Sequence, residues 1–207
     1  SFDSQVLQVV TEGAEHVLRH QPDPGILSSH GLEPQRYVLA VSSIAAHKNF
    51  KLVLEALAQL SGTPFQVAIA GGANPAVFGD VAIKGADHVR WLGYVSDAQL
   101  RALYENALCF VFPSVYEGFG IPPLEAMTCG CPVLASSAAS IPEVCADAAL
   151  YFDPSDATAL AHALQRISND DALRRDLSAR GRQRAQQFSW GKATTEVLSS
   201  FSRVWSR

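Results

Sequence analysis

The sequence predicts an α/β domain, with a mostly parallel, Rossmann-like sheet covered by helices on both faces. Three observations predict it. Short apolar runs alternate with stretches whose apolar residues recur at helical spacing, the pattern of successive strand–helix–strand units. The run Leu108 to Phe112 contains no polar side chain, as expected of a strand buried on both sides. Turn formers such as Gly62-Thr63-Pro64, Gly71-Gly72 and Gly93 fall where the runs end.

The elements follow in order. Residues 1–35 precede the first strand and contain the turn-rich Gln21-Pro22-Asp23-Pro24-Gly25. They are expected to be an interdomain linker or the end of a preceding half, with the domain itself over 36–207. Tyr37 to Val41 reads as the first strand, followed by a helix carrying Leu52, Val53, Ala56, Leu57 and Leu60 on one side. Phe65 to Ala70 is a second strand running into Gly71-Gly72, and His88 to Leu92 a third, ending at Gly93. Asp97 to Asn106 has Leu100, Leu103 and Tyr104 on one helical face, with Ser96 or Asp97 suited to the N-cap. After the buried run 108–112, a helix is expected near Pro122-Pro123, because proline is tolerated in a first turn. Pro132 to Ala135 and Leu150 to Phe152 are further strands. Ser155 to Arg207 reads as outer, charged helices, the last over about Trp190 to Trp205. Parallel strands require right-handed crossovers, and such sheets bind ligands beyond the carboxyl ends of their strands.

Composition narrows the function. The chain has 207 residues, of which 48% are hydrophobic and 17% charged, enough for a real core. A formal net charge of −4 gives no domain-wide basic field, so nucleic acid is not an expected partner. No run approaches the roughly 20 apolar residues of a membrane-spanning helix, and Ser1 to Gln5 shows no signal-peptide character. Cys109, Cys129, Cys131 and Cys145 match neither a zinc site nor a redox pair. They are expected to be reduced core thiols of a cytoplasmic protein.

Four loops after strands carry the candidate chemistry. The first, Ser42 to Asn49, leaves a strand and opens a helix. Lys48 there adds an ammonium near a helix N-terminus, a combination that suits phosphate, although a solvated surface lysine is the alternative. The second, Ala70-Gly71-Gly72, permits close backbone approach to a ligand or simply turns the chain, and no G-x-G-x-x-G pattern follows. In the third, Gly93 to Asp97, the backbone of Tyr94 and Val95 either meets a nucleobase or only leads into a helix cap. The fourth is Pro113-Ser114-Val115-Tyr116-Glu117-Gly118-Phe119-Gly120-Ile121-Pro122-Pro123-Leu124-Glu125-Ala126-Met127. Its glycines let backbone amides line a pocket, and the helix start favours an anion. Glu117 and Glu125 flank the turn. Because a carboxylate accepts hydrogen bonds from two vicinal hydroxyls, such a pair suits a polyol ligand. Equally, Glu125 could complement the helix dipole and Glu117 be solvated; spacing alone leaves this open. Tyr116 and Phe119 either pack on the ligand or within the loop. The histidines His16, His20, His30, His88 and His162 show no ligand spacing and read as surface or structural residues.

This fourth segment resembles the E-x7-E signature of the family-4 retaining glycosyltransferases of GT-B fold. His47-Lys48-Asn49, Ala70-Gly71-Gly72, Leu92-Gly93-Tyr94-Val95, Gly130-Cys131-Pro132-Val133, Ile141-Pro142-Glu143-Val144 and Phe188-Ser189-Trp190 agree with that family in the same order, from about residue 36 to the C-terminus. The resemblance implies that Glu117 binds donor-sugar hydroxyls, Glu125 the ribose diol, and Lys48 the departing diphosphate, making Lys48 and Glu117 the catalytic pair. It implies donor contacts from Gly118, Phe119, Gly120 and Ile121, from Ser43, His47 and Gly71, and from Tyr94 and Val95 at the base. It further implies that neither metal nor other cofactor is needed. One departure is the lack of the arginine that many relatives carry early in the first loop, where this chain has Ser42-Ser43-Ile44; a subgroup has it where His47 stands. His47 is a weaker phosphate partner than arginine.

The serine-rich first loop and Glu12-Gly13-Ala14-Glu15-His16 resemble a subgroup that includes mannosyltransferases of bacterial surface polysaccharide assembly, which favours GDP-mannose over UDP- or ADP-sugars. In a GT-B enzyme the acceptor, a glycan or a lipid-linked glycan, binds an N-terminal domain that residues 1–35 are too short to form. The chain alone is therefore expected to bind donor and transfer little, and Val197, Leu198, Phe201 and Trp205 are expected to lack a packing partner. The resemblance places the whole protein in the cytoplasm and allows its peripheral association with the inner membrane face. Two other readings remain: a non-catalytic nucleotide-binding module, and a nucleotide-sugar epimerase or hydrolase on the same scaffold.

Overall fold

The computed structural model describes residues 8–41, 45–60, 62–72 and 88–205. Its six strands are β1 (Tyr37–Val41), β2 (Gln66–Ala70), β3 (Val89–Gly93), β4 (Cys109–Phe112), β5 (Val133–Ser136) and β6 (Ala149–Phe152). They form one sheet in the order β3-β2-β1-β4-β5-β6, every neighbouring pair parallel. The order reverses between β1 and β4. In sheets of this kind the crevice outside the carboxyl ends of the two strands at that switch point is where ligands bind.

Alternation along the strands builds two cores. Tyr37 and Leu39 of β1, with Phe110 and Phe112 of β4, face one side. There they meet α1 (Gly25–Ser29), α3 (Asp97–Asn106), α4 (Ile121–Thr128) and α5 (Ile141–Cys145). Val38 and Ala40 of β1, with Cys109 and Val111 of β4, face the other side, against α2 (Phe50–Leu57) and α6 (Ala157–Asn169). Both sets are buried, which accounts for the unbroken apolar run of β4. Tyr37 is the one polar-tipped side chain in β1, and its hydroxyl donates to the carbonyl of Leu103 at 2.6 Å. Two longer helices, α7 (Asp171–Ala185) and α8 (Trp190–Trp205), complete the chain. The start of α3 carries a capping box: Ser96 Oγ accepts from Gln99 N, and Gln99 Oε1 accepts from Ser96 N.

The segment ahead of β1, expected from sequence to be an interdomain linker or the end of a preceding half, shares the first core from Ala14 onward. Ala14, Val17, Ile26, Leu27 and Leu32 are all buried there. A 3-10 turn over Glu15–Leu18 packs on α3 and α4, and α1 packs on α3. Arg101 Nη1 donates to the carbonyls of Leu18 and His20, and Asp23 N donates to that of Ala98. Its turn formers therefore sit between buried anchors, Val17 before them and Ile26 after.

The four cysteines are free and buried, and burial pushes the thiols of Cys109, Cys129 and Cys145 up to about 12. At the far end, Leu198, Phe201 and Trp205 of α8 are exposed, as expected, with Trp205 at 92%. No helix among the described residues is long and apolar enough to cross a membrane.

Candidate active site

Beyond the carboxyl ends of β1 and β4, two loops lie against one another. The backbone N–H of Val115 donates to the carbonyl of His47 at 2.9 Å. Asn49 Nδ2 reaches the carbonyls of Pro113 (3.2 Å) and Pro154 (2.8 Å). Asn49 adopts the left-handed conformation, φ 54°, and does not cap α2 with its side chain. Its amide instead ties three post-strand loops together. The helix start expected at Lys48 is thus split: a 3-10 turn (Ala46–Lys48) ends in Lys48, and α2 begins two residues later.

That arrangement aims Lys48 across the switch point. Its Nζ lies 2.7 Å from Glu117 Oε1, and both side chains are largely buried, at 19% and 14% exposure. The ammonium also sits 5.7 Å from the centre of the Phe112 ring, within cation–π range. Two charges of this kind, partly removed from water, are each costly alone and compensate one another as a pair.

The loop carrying Glu117 is held from behind. Ser140 Oγ bonds the carbonyls of both Glu117 and Phe119 at 3.0 Å. In a planar trans peptide the N–H points opposite to the C=O, so the N–H groups of Gly118 and Gly120 point away from Ser140. Gly120 has φ 108°, a conformation side chains disfavour, and it turns the chain into α4, which begins at Ile121. Phe119 packs edge-on against Phe188 at 5.7 Å and so is a loop anchor, whereas Tyr116 is exposed.

Glu125 lies one turn into α4 and its side chain is 12% exposed. It does not cap the helix. Oε1 is 2.7 Å from His16 Nε2, and Oε2 accepts from the Tyr104 hydroxyl at 3.2 Å. Burial, and next the charge of Glu125, hold the Tyr104 phenol well above its ordinary range, so it stays a donor.

On the other side of β1, Gly71 N donates to Gly93 O at 2.7 Å, joining the ends of β2 and β3. Tyr94 is 90% exposed and its hydroxyl lies over Gly72, so closely that a Cβ there would sit 2.6 Å away. Val95 packs partly into the first core. His47 is exposed. Ser43 lies outside the described residues. Lys48 and Glu117 are therefore in direct contact, while Glu125 engages a separate set of partners. Among the described residues, no group of three or more His, Cys, Asp or Glu is placed to hold a metal ion.

Sequence reasoning missed His16, read as a surface or structural residue, although it touches Glu125. It also missed Tyr104 as a partner of Glu125, and the loop-tying roles of Asn49 and Ser140. No spacing rule links residues 109 positions apart, such as His16 and Glu125. The one available signal was the likeness of the segment around His16 to a subgroup of the family.

Comparison with known proteins shows the family. The family described as "Glycosyl transferases group 1" matches residues 26–184. The chain is 39% identical to the O-antigen chain mannosyltransferase B of Escherichia coli, over 85% of this chain and 48% of that protein. It is 30% identical to the alpha-maltose-1-phosphate synthase of Mycobacterium tuberculosis, over 99% of this chain and 58% of that protein. Among solved structures, the sucrose-phosphate synthase of Thermosynechococcus elongatus superposes with a TM-score of 0.77 at 29% identity, over 95% of this chain and 51% of that one. The Anabaena protein HepE, solved in complex with UDP, shares the fold with a TM-score of 0.84 at 19% identity, over 97% of this chain and 58% of that one. The chain thus spans about half the length of these relatives. With the family match over most of its length, and the paired lysine and glutamate at the switch point of a Rossmann-like sheet, the chain belongs to the group 1 glycosyl transferases.

Proposed function

We propose that this chain is the donor-binding half of a retaining glycosyltransferase that moves mannose from GDP-mannose to a glycan or lipid-linked acceptor in surface polysaccharide assembly. The observation that carries the proposal is the ion pair of Lys48 with Glu117 at the switch point, 2.7 Å long and largely buried. The mannosyltransferase named among the relatives supports the choice of sugar.

In this reading the donor replaces the internal pair. Lys48 exchanges the Glu117 carboxylate for the diphosphate, and Glu117 accepts hydrogen bonds from the sugar hydroxyls. Transfer breaks the bond between the anomeric carbon and the phosphate oxygen and forms one to the acceptor oxygen on the same face. The acceptor hydroxyl gives its proton to the departing phosphate oxygen, which keeps the electron pair of the broken bond, and nucleoside diphosphate departs. Negative charge gathers on the leaving diphosphate, where a preorganised ammonium and the N–H groups of Gly118 and Gly120 stabilise it. Ser43 and His47 add donors from the first loop, and Gly71, Tyr94 and Val95 flank the base. The acceptor binds a second domain, through which the whole protein works at the inner face of the membrane in the cytoplasm. No metal takes part in this scheme.

Calorimetric titration of the 207-residue chain with GDP-mannose, GDP, UDP-glucose and ADP-glucose tests the reading. We expect selective binding of GDP-mannose, unchanged by EDTA and weakened by both Glu117→Ala and Lys48→Ala. GDP-mannose binding that survives Glu117→Ala unchanged, with the advantage over GDP intact, would identify a non-catalytic nucleotide-binding module. Binding that needs added Mg2+ would overturn the metal-free scheme.

A further inference from the structure

The carboxylate of Glu125 is held by two chain segments that lie outside the post-strand loops. Trp190, the first residue of α8, donates from its indole Nε1 to His16 Nδ1 at 3.1 Å. An indole N–H only donates, so Nδ1 of His16 accepts, and the ring proton belongs on Nε2. That nitrogen faces Glu125 Oε1 at 2.7 Å. The result is a directional chain of donors, from indole to imidazole to carboxylate. Tyr104 donates to the second oxygen, Oε2.

The segment that carries His16 is itself tied to the start of α8. Glu15 Oε1 accepts from the backbone N–H of Trp190 at 2.7 Å. Gly13 lies so close to the Ser189–Trp190 backbone that any Cβ there would collide with it. The rings of His16 and Trp190 lie 6.1 Å apart. Each oxygen of Glu125 thus has one protein donor and retains an acceptor site for one hydroxyl of a diol.

We infer that His16 is a positioning residue for the ribose site, with its tautomer set by Trp190, and that the pair presets Glu125 to recognise the vicinal hydroxyls of the nucleotide. This rests on the donor-binding reading of Glu125 given above. Without the imidazole, the carboxylate can turn away from the diol, and selectivity for ribose falls while the remaining contacts persist. His16 itself makes no contact with the ligand.

The test compares GDP with 2′,3′-dideoxy-GDP on the 207-residue chain by calorimetry, using the matched uridine pair if the titration selects UDP. The wild type should prefer the ribonucleotide, and Glu125→Ala should abolish that preference. His16→Phe, which keeps a ring and loses the donor, should lower the preference about five- to tenfold and leave the dideoxy affinity unchanged. His16→Gln, which restores an N–H toward Glu125, should recover most of it. Trp190→Phe should lower it in the same direction, and serves as the second test if His16→Phe fails to fold. A preference abolished by Glu125→Ala but intact in both His16→Phe and Trp190→Phe would overturn the inference. A wild type without preference, or an inert Glu125→Ala, would instead remove the ribose reading on which it stands.

Discussion

In a sugar-transfer assay of the whole protein, Glu117→Ala and Lys48→Ala should each lower the rate by about 10²- to 10³-fold, the size seen when a preorganised charge-stabilising group is removed. The two variants should differ in how they bind. Glu117→Ala leaves the Lys48 ammonium without its 2.7 Å partner but still able to meet a diphosphate. Its affinity for GDP should hold or rise, while the extra affinity that the sugar confers disappears. Lys48→Ala leaves the Glu117 carboxylate uncompensated beside the place proposed for the diphosphate, so GDP itself should bind more weakly. Because the two groups act as a unit, the double variant should be far less impaired than the product of the single effects. Steady-state kinetics with calorimetry on the same proteins measures all three. Equal loss of GDP affinity in both single variants would contradict the proposed division of labour.

Removal of residues 1–35 should cost the domain most or all of its stability. Val17, Ile26, Leu27 and Leu32 are buried in the first core, and full burial of such side chains contributes about 1.5–3 kcal/mol each. Their sum, roughly 6–12 kcal/mol before the ordering of the segment is set against it, is comparable to the whole stability of a typical domain, about 5–15 kcal/mol. The deletion also strips Arg101 of two carbonyl partners and uncovers Leu103 and Tyr104. The shortened chain should therefore bind a hydrophobic dye and lose its cooperative melting transition. A midpoint within a few degrees of the intact chain would mean that the segment only connects.

Much of the architecture was legible because local chemistry and tertiary demand agree. The helix over Asp97–Asn106 lies where its apolar face and the Ser96-x-x-Gln99 cap place it. The last helix spans Trp190–Trp205, where it was expected, and Ser189 Oγ accepts from Lys192 N at its start. The doubly buried β4 betrayed itself by its lack of polar side chains. At the site, residue type and position made Glu117, Glu125 and Lys48 candidates beside ordinary structural alternatives, and only the resemblance to a family assigned them roles. Their partners could not be read. That Lys48 closes on Glu117 depends on the sheet bringing β1 beside β4, which periodicity cannot reveal. Residues 14–32 escaped because their few apolar side chains are separated by turn formers and follow no single period. Their burial is imposed by the surface of α3 and α4, not by their own pattern.

The clamp between Gly13–His16 and Ser189–Trp190 also has a mechanical meaning. The chain enters the fold and starts its final helix at the same spot, so tension applied through either end reaches that junction before it reaches the sheet. Gln8 runs beside the same helix further along, where Ser200 and Arg203 both donate to its side-chain oxygen. A load that parts residues 8–16 from this helix acts directly on the contacts of His16 with Trp190 and Glu125. The domain thus fastens its entering chain and its last helix at one seam, and that seam also holds Glu125.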